Sequence, residues 1–262
     1  MIGLIGCGNM GKAILSGILQ NNIEEKENII VSRRSKKSAD KIKDEYGVCV
    51  TLKNGEVAEK SELLFICVKP NLFSEISNEI KDCIKKDTII VSIAAGLTIS
   101  RLEALFGEDK KIVRVMPNTP SQVGEGMSAV TPNENAKADA DKVLSIFNSF
   151  GRAKMVPEKL MDTVTAVSGS SPAYIFMLIE AMADGAVQGG MPRDLAYEFS
   201  AQAVLGSAKM VLESGLNPSA LKDMVCSPGG TTIEAVASLE RNGFRNSIIE
   251  AIRVCREKSE SM

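Results

Sequence analysis

Neither histidine nor tryptophan occurs anywhere in this chain of 262 residues. Without an imidazole there is no His general base and no His-ligated metal, and Ser-His-Asp hydrolysis is excluded with them. Aromatic residues are scarce at 4%, which leaves little surface for stacking nucleobases. Charge of one sign is lacking too. The 31 basic and 33 acidic residues give a formal net charge of -2, so no global field collects nucleic acid. No apolar stretch reads as long enough to span a bilayer. The start, Met1-Ile2-Gly3-Leu4-Ile5-Gly6, is too short for a signal h-region and lacks a basic n-region. The six cysteines, at positions 7, 49, 67, 83, 226 and 255, form no CxxC pair. They read as buried free thiols in a reducing cytoplasm, forming neither a disulfide frame nor a metal site.

What is present changes texture near Pro157. Residues 1–157 alternate short β-branched runs with amphipathic segments, the pattern of a parallel sheet with crossover helices. Strands are expected at residues 2–6, 28–32, 63–68, 88–93, 111–116, 128–131 and 153–156, with a weaker one at 48–51. Helices fit at 10–20, 36–46, 72–84, 99–105 and 136–150. In residues 158–262, Ala, Met, Leu and Gly dominate and no strand-like run appears. There Ser170-Ser171-Pro172 opens a helix with a cap and a first-turn proline, Gly189-Gly190 closes it, and Pro192-Arg193-Asp194 starts another. The first of these is apolar on nearly all faces, with Ile175, Phe176, Leu178, Ile179 and Met182. So small a helical domain cannot bury that surface alone, which points to a homodimer interface. Glu180 and Asp184 stand four apart on the same helix, as a solvated stripe or as a seat for a cationic group of a ligand. The expected fold is therefore α/β: an N-terminal Rossmann-type parallel sheet followed by an all-helical C-terminal dimerisation domain.

Gly6-Cys7-Gly8-Asn9-Met10-Gly11 follows an expected strand and opens an expected helix, the context in which GxGxxG binds a dinucleotide. Gly6 makes the tight turn, Gly8 admits a pyrophosphate to the backbone, and Gly11 lets helix and strand pack closely. The next strand, where NAD-binding folds carry an acidic residue for the ribose, instead ends Ser32-Arg33-Arg34-Ser35-Lys36-Lys37. Guanidinium forks there favour a 2′-phosphate, and NADPH over NADH, with NADH as the alternative. Ala94-Ala95-Gly96 and Val68-Lys69-Pro70 end two further strands, at the sheet edge where ligands bind in open α/β folds. Lys69 is either a phosphate or ribose contact or a surface lysine in a turn. Asn118, in the rigid loop Pro117-Asn118-Thr119-Pro120, bonds either a cofactor or substrate, or only its own loop.

The second candidate site is Ser227-Pro228-Gly229-Gly230-Thr231-Thr232, which runs directly into a helical stretch. Several N–H groups and two hydroxyls at the positive end of a helix dipole suit a small carboxylate. Helix capping by Thr231 or Thr232 is the competing reading. Carbonyl reduction needs a strong acid nearby, yet none of Tyr46, Tyr174 and Tyr197 is followed by a lysine at the fourth position, and no lysine lies between Lys159 and Lys209. A cyclic imine, protonated near neutrality, needs chiefly to be positioned and held by its carboxylate. Thr232 then relays a proton to the imine nitrogen or orients it. Another NADP-linked reductase of a carboxylate substrate, or an NADP(H)-sensing regulator, are the alternatives.

With these motifs the chain resembles the pyrroline-5-carboxylate reductases over essentially its full length, through GCGNMG, ICVKP, SIAAG, VMPNTP, SGSSPAYIF, AQAVLGSAKMVLESG and SPGGTT. The resemblance implies NAD(P)H-dependent reduction of 1-pyrroline-5-carboxylate to proline, the last step of proline synthesis. It also implies a Rossmann domain with a helical dimerisation domain, and assembly beyond the dimer in some members. Thr232 matches the family's proposed proton-relay threonine, and Ser227, Gly229, Gly230 and Thr231 its carboxylate-binding loop. Asn54 and the Val68-Lys69-Pro70 turn match contacts to the cofactor's nucleoside and ribose. The family helix often begins Ser-Gly-Ser-Gly-Pro; Ser171 here replaces the second glycine and adds a side chain near the substrate pocket.

Overall fold

A computed structural model of the chain describes residues 1–261. It separates into two compact units, Met1–Ser170 together with the C-terminal stretch from Cys255, and Ser171–Val254.

The first unit is built on one eight-stranded sheet in the order β3-β2-β1-β4-β5-β6-β7-β8. Its strands are β1 (Ile2–Ile5), β2 (Ile29–Ser32), β3 (Cys49–Thr51), β4 (Leu63–Ile66), β5 (Ile89–Ser92), β6 (Lys111–Met116), β7 (Gly126–Pro132) and β8 (Gly151–Met155). Successive side chains on a strand point to opposite faces, and both faces here are covered. Leu4, Val31, Phe65, Val91 and Val113 meet one buried cluster; Ile5, Ile30, Ile66, Ile90 and Ile112 meet the other. That explains why the strands read as continuous apolar runs and not as alternating ones.

β1 to β6 run parallel, but β7 is antiparallel to β6. The expected parallel sheet is thus present over β1 to β6, with one antiparallel pair at β6 and β7. A parallel partner needs a crossover of a dozen or more residues, whereas only the turn carrying a 3-10 helix at Thr119–Val123 links β6 to β7. β8 then pairs parallel with β7.

The helices of this unit are α1 (Asn9–Gln20), α2 (Lys36–Tyr46), α3 (Asn54–Lys60), α4 (Phe73–Ile80), α5 (Ile99–Phe106), α6 (Ala140–Asn148) and α7 (Met161–Val164). α3 was not expected. It buries only Val57 and Ala58, too few apolar positions to show a helical period. The longer helices expected over 72–84 and 136–150 each begin as a 3-10 turn, at Pro70–Leu72 and Glu134–Asp139. The first also ends as one, at Lys81–Cys83.

Compactness carries the first unit past the texture change at Pro157 through Ser170, for reasons visible in the bonding. Arg114 on β6, 4% exposed, is paired with Glu158 at 3.0 Å. The same Glu158 carboxylate accepts from the Ile99 N–H at 2.6 Å. A π-helical turn at Thr165–Gly169 follows α7. The C-terminal stretch is tied in by the Ser259 hydroxyl donating to Asp162 at 2.6 Å.

The second unit is helical: α8 (Ser171–Gln188), α9 (Arg193–Glu213), α10 (Pro218–Val225), α11 (Thr231–Arg241) and the greater part of α12 (Phe244–Glu260). Only Ala183, Ala196 and Ser200 are buried among its described residues. Two sequence expectations are corrected here and above. The helical run Glu158–Gln188, of 31 residues, is long and apolar enough to cross a bilayer by length and composition. The sequence hides this because Ser170-Ser171-Pro172 does open α8 at Ser171, which divides the apolar length between the π-helical turn and α8. And of the six free cysteines only Cys7 is buried, while Cys49 is exposed and the other four are half-buried, since positions within apolar runs still fall at strand and helix ends.

Candidate active site

The strand order reverses direction between β1 and β4, the switch point at which an open α/β sheet offers a crevice at the carboxyl ends of its strands. The glycine motif sits there. Gly6 has φ +77°, and a Cβ on it would lie 2.9 Å from Val68 and 3.0 Å from the Cys67 carbonyl. A Cβ on Gly11 would lie 3.2 Å from both Cys67 and the Gly6 carbonyl, so helix α1 closes down on the strand ends. Gly8 is the N-cap of α1 with no capping side chain, and nothing lies within 4 Å of where its Cβ would be. One glycine turns the chain, one packs it, and one faces open space with helix amides behind it. Asn9 begins α1, and Met10 is half-buried against the core.

Beside this loop lies a cavity of about 450 Å³. Gly6, Ser32, Arg33, Arg34, Asn54 and Val68, six of the expected cofactor residues, line it together. The Arg33 Nε is buried with no hydrogen-bond partner. An unmet guanidinium N–H in a polar cavity calls for an anionic oxygen, so the residues present fit a 2′-phosphorylated dinucleotide. Sequence reasoning missed Ser38, Leu52 and Glu79, which also line the cavity. Glu75 and Glu79, four apart on α4, were the available signal.

Other expected residues fall outside that cavity. Cys7 is 1% exposed, so only its backbone is available to a ligand. Burial pushes its thiol up to about 11, against the pull of Arg33 and Lys12. Burial raises the Cys67 thiol as well, with Cys7 adding to the effect. Protonated thiols at both positions are poor nucleophiles. Lys69 is exposed, and Pro70 opens a 3-10 turn. Ala94 is buried, Ala95 half-buried, and Gly96 turns at φ +75°. Asn118 is 8% exposed and both ends of its side chain serve backbone. It donates to the Ser168 carbonyl at 3.0 Å and accepts from the Met127 N–H at 2.9 Å. The amide therefore ties the β6–β7 turn to the π-helical turn.

In the second unit, Ser227 to Gly230 form a β-turn closed by the Gly230 N–H donating to the Ser227 carbonyl at 3.0 Å. Gly229 has φ +68°, the third-position requirement of a type II turn after Pro228. A Cβ on Gly230 would collide with the Ser227 hydroxyl. Helix α11 starts at Thr231, with Gly230 as N-cap and no side-chain cap. The threonine hydroxyls are thus not the helix's caps, and the N–H groups of Thr231, Thr232 and Ile233 open the helix without intrahelical partners. Gly230's own amide is engaged in the turn. Thr231 is exposed and Thr232 half-buried. Of the two carboxylates on α8, Asp184 is paired with Arg193 and Glu180 is exposed. Among the described residues no cluster of His, Cys, Asp or Glu could hold a metal ion.

Comparison with known proteins agrees with both halves of this geometry. The family model described as NADP oxidoreductase, coenzyme F420-dependent, matches residues 1–96. That described as pyrroline-5-carboxylate reductase dimerisation matches residues 158–262. The Escherichia coli (strain K12) pyrroline-5-carboxylate reductase is 52% identical over 262 residues, covering 100% of this chain and 97% of its own. The Arabidopsis thaliana pyrroline-5-carboxylate reductase is 38% identical over 265 residues, covering 99% of this chain and 96% of its own. Among solved structures, the Plasmodium falciparum pyrroline carboxylate reductase with NADP bound superposes at TM-score 0.90 and 37% identity, over 99% of this chain and 97% of that one. The Coxiella burnetii pyrroline-5-carboxylate reductase does so at TM-score 0.92 and 34% identity, over 99% and 97%. Full-length likeness at these identities, with a glycine-loop cleft and an SPGGTT turn both in place, assigns this chain to the pyrroline-5-carboxylate reductase family.

Proposed function

We infer that the chain reduces 1-pyrroline-5-carboxylate to L-proline with NADPH, as the last step of proline synthesis. The observation that carries this reading is the Ser227–Thr232 turn, whose closing bond leaves the first helical amides of α11 open beside two threonine hydroxyls. Those amides and the helix dipole hold the substrate's carboxylate. Thr232 places its hydroxyl for the imine nitrogen, relaying a proton or orienting the ring. Gly6, Gly8 and Gly11, with the adjoining backbone of Cys7, Asn9 and Met10, form the pyrophosphate seat. Arg33 and Arg34 face the 2′-phosphate, and Ser32, Asn54 and Val68 the ribose and nucleoside. Lys69, Pro70, Ala94, Ala95 and Gly96, outside the cavity, follow the carboxyl ends of β4 and β5 and are assigned the cofactor's remaining contacts. NADPH, when bound, supplies the hydride.

Thr232→Ala lowers kcat by about 100-fold while the Kd for NADPH stays constant; equal losses in both would assign the threonine to folding instead. Arg33→Ala/Arg34→Ala lowers the preference for NADPH over NADH by about 10-fold, the worth of a charge-assisted hydrogen bond. An unchanged ratio of the two Kd values would remove the phosphate from that corner.

The chain also forms a homodimer through the second unit. The support is its uncovered apolar surface, with Phe176 64% and Phe199 60% exposed, and a family model described as a dimerisation domain. Six free cysteines accord with a cytoplasmic location.

A further inference from the structure

The nucleotide cavity contains a short hydrogen-bonded chain whose direction is fixed at one end. The Ser32 hydroxyl, at the tip of β2, donates to Asn54 Oδ1 at 2.6 Å. Asn54 Nδ2 donates to Glu79 Oε2 on α4 at 2.7 Å. Ser32 and Glu79 both line the cavity, and Ser32 is 1% exposed.

A carboxylate only accepts, so Glu79 compels the Asn54 amide to turn its NH₂ outward to α4 and its oxygen to Ser32. With that oxygen facing it, Ser32 must donate its one proton to Asn54. The lone pairs of Ser32 are then left toward the cavity, where the residue acts as an acceptor. A ribose hydroxyl can donate to such an oxygen; a phosphate dianion, itself only an acceptor, cannot.

We propose that Glu79 is a positioning residue for cofactor choice, acting through Asn54 to hold Ser32 as an acceptor for the ribose 2′-hydroxyl of a non-phosphorylated dinucleotide. Ser32 occupies the strand end where NAD-binding folds carry an acidic residue for that hydroxyl. Here the acidic group stands two side chains away, and only its hydrogen-bond polarity is delivered to the ribose. The cavity thereby keeps a grip on NAD(H) beside the arginines that favour NADP(H). The inference rests on the proposed assignment of this cavity to the cofactor.

The test is Glu79→Gln, with Kd values for NAD⁺ and NADP⁺ measured by calorimetry. Glutamine can donate or accept, so Asn54 is free to invert and Ser32 to donate into the cavity. The expected result is weaker NAD⁺ binding and a shift of the NADP⁺/NAD⁺ affinity ratio toward NADP⁺ of about threefold to tenfold, the worth of one hydrogen bond. In a Ser32→Ala background the NAD⁺ effect of Glu79→Gln disappears. Loss of the Glu79 charge alone would instead tighten NADP⁺, leave NAD⁺ unchanged and persist without Ser32; that outcome overturns the proposal. So does an equal change for both nucleotides. If Ser32→Ala and Asn54→Ala leave both Kd values unaltered, the assignment of the cavity itself is what fails.

Discussion

The two compact units place their large apolar side chains by opposite rules. In the first, Phe65, Phe73 and Phe147 are at most 1% exposed, held between a sheet buried on both faces and helices with one apolar stripe each. In the second, Phe176, Met177 and Phe199 are 64%, 68% and 60% exposed, on helices that are apolar around most of their circumference. The first unit covers its own large apolar side chains; the second leaves many of its own uncovered. On the proposed homodimer, the contrast separates what a chain stabilises by folding from what it stabilises by assembling.

Three measurements break or sharpen that contrast. The largest effect is expected in the first unit. Phe65→Ala removes a fully buried ring and lowers unfolding stability by about 3–5 kcal/mol, by the same amount at every protein concentration. A concentration-dependent loss, followed by urea denaturation, would show that the sheet unit also leans on assembly. Next, Phe176→Glu would be nearly silent on a free surface, within about 0.5 kcal/mol. At the centre of a dimer interface it weakens association by about 2–4 kcal/mol, read by sedimentation equilibrium. An unshifted dimer would detach this face from the interface.

The smallest effect concerns alkaline stability. The Cys7 thiol rises from 9.0 to about 11 on folding, so the folded state holds that proton more tightly than the unfolded chain. Its contribution is complete below pH 9, is lost as the pH climbs through 11, and amounts to about 2–3 kcal/mol. Cys7→Ala therefore flattens the fall in stability between those limits relative to the parent chain. Parallel curves for the two proteins would mean that the thiol ionises alike in both states.

Much of the first unit was legible because burial on two faces leaves long β-branched runs, and because each run stops at a glycine, proline or charge cluster. What a strand does not encode is its direction. The reversal at β7 depends on how little chain separates Met116 from Gly126, a property of the connection and not of the strand. α3 escaped notice because Val57 and Ala58 alone carry its buried face.

At the proposed cofactor site, the turn at Gly6, the close packing at Gly11 and the basic pair Arg33 and Arg34 were readable because backbone conformation and charge act locally. Glu79 was not, since its role arises only when α4 brings it to Asn54 across the cavity. Asn118 has the same sequence under either of its readings; its two hydrogen bonds to backbone appear only in the folded chain. The SPGGTT segment was legible as a glycine-rich turn running into a helix, the feature on which its proposed anion binding rests. That the Gly230 amide closes the turn, leaving the amides after it open, required the folded backbone.

That closing bond exists before any guest arrives. On the proposed reading, a small acid entering the turn would meet donors already aimed, and little of its affinity would be diverted into ordering the chain. Differences in tightness among related ring acids would then appear mainly in how slowly each one leaves.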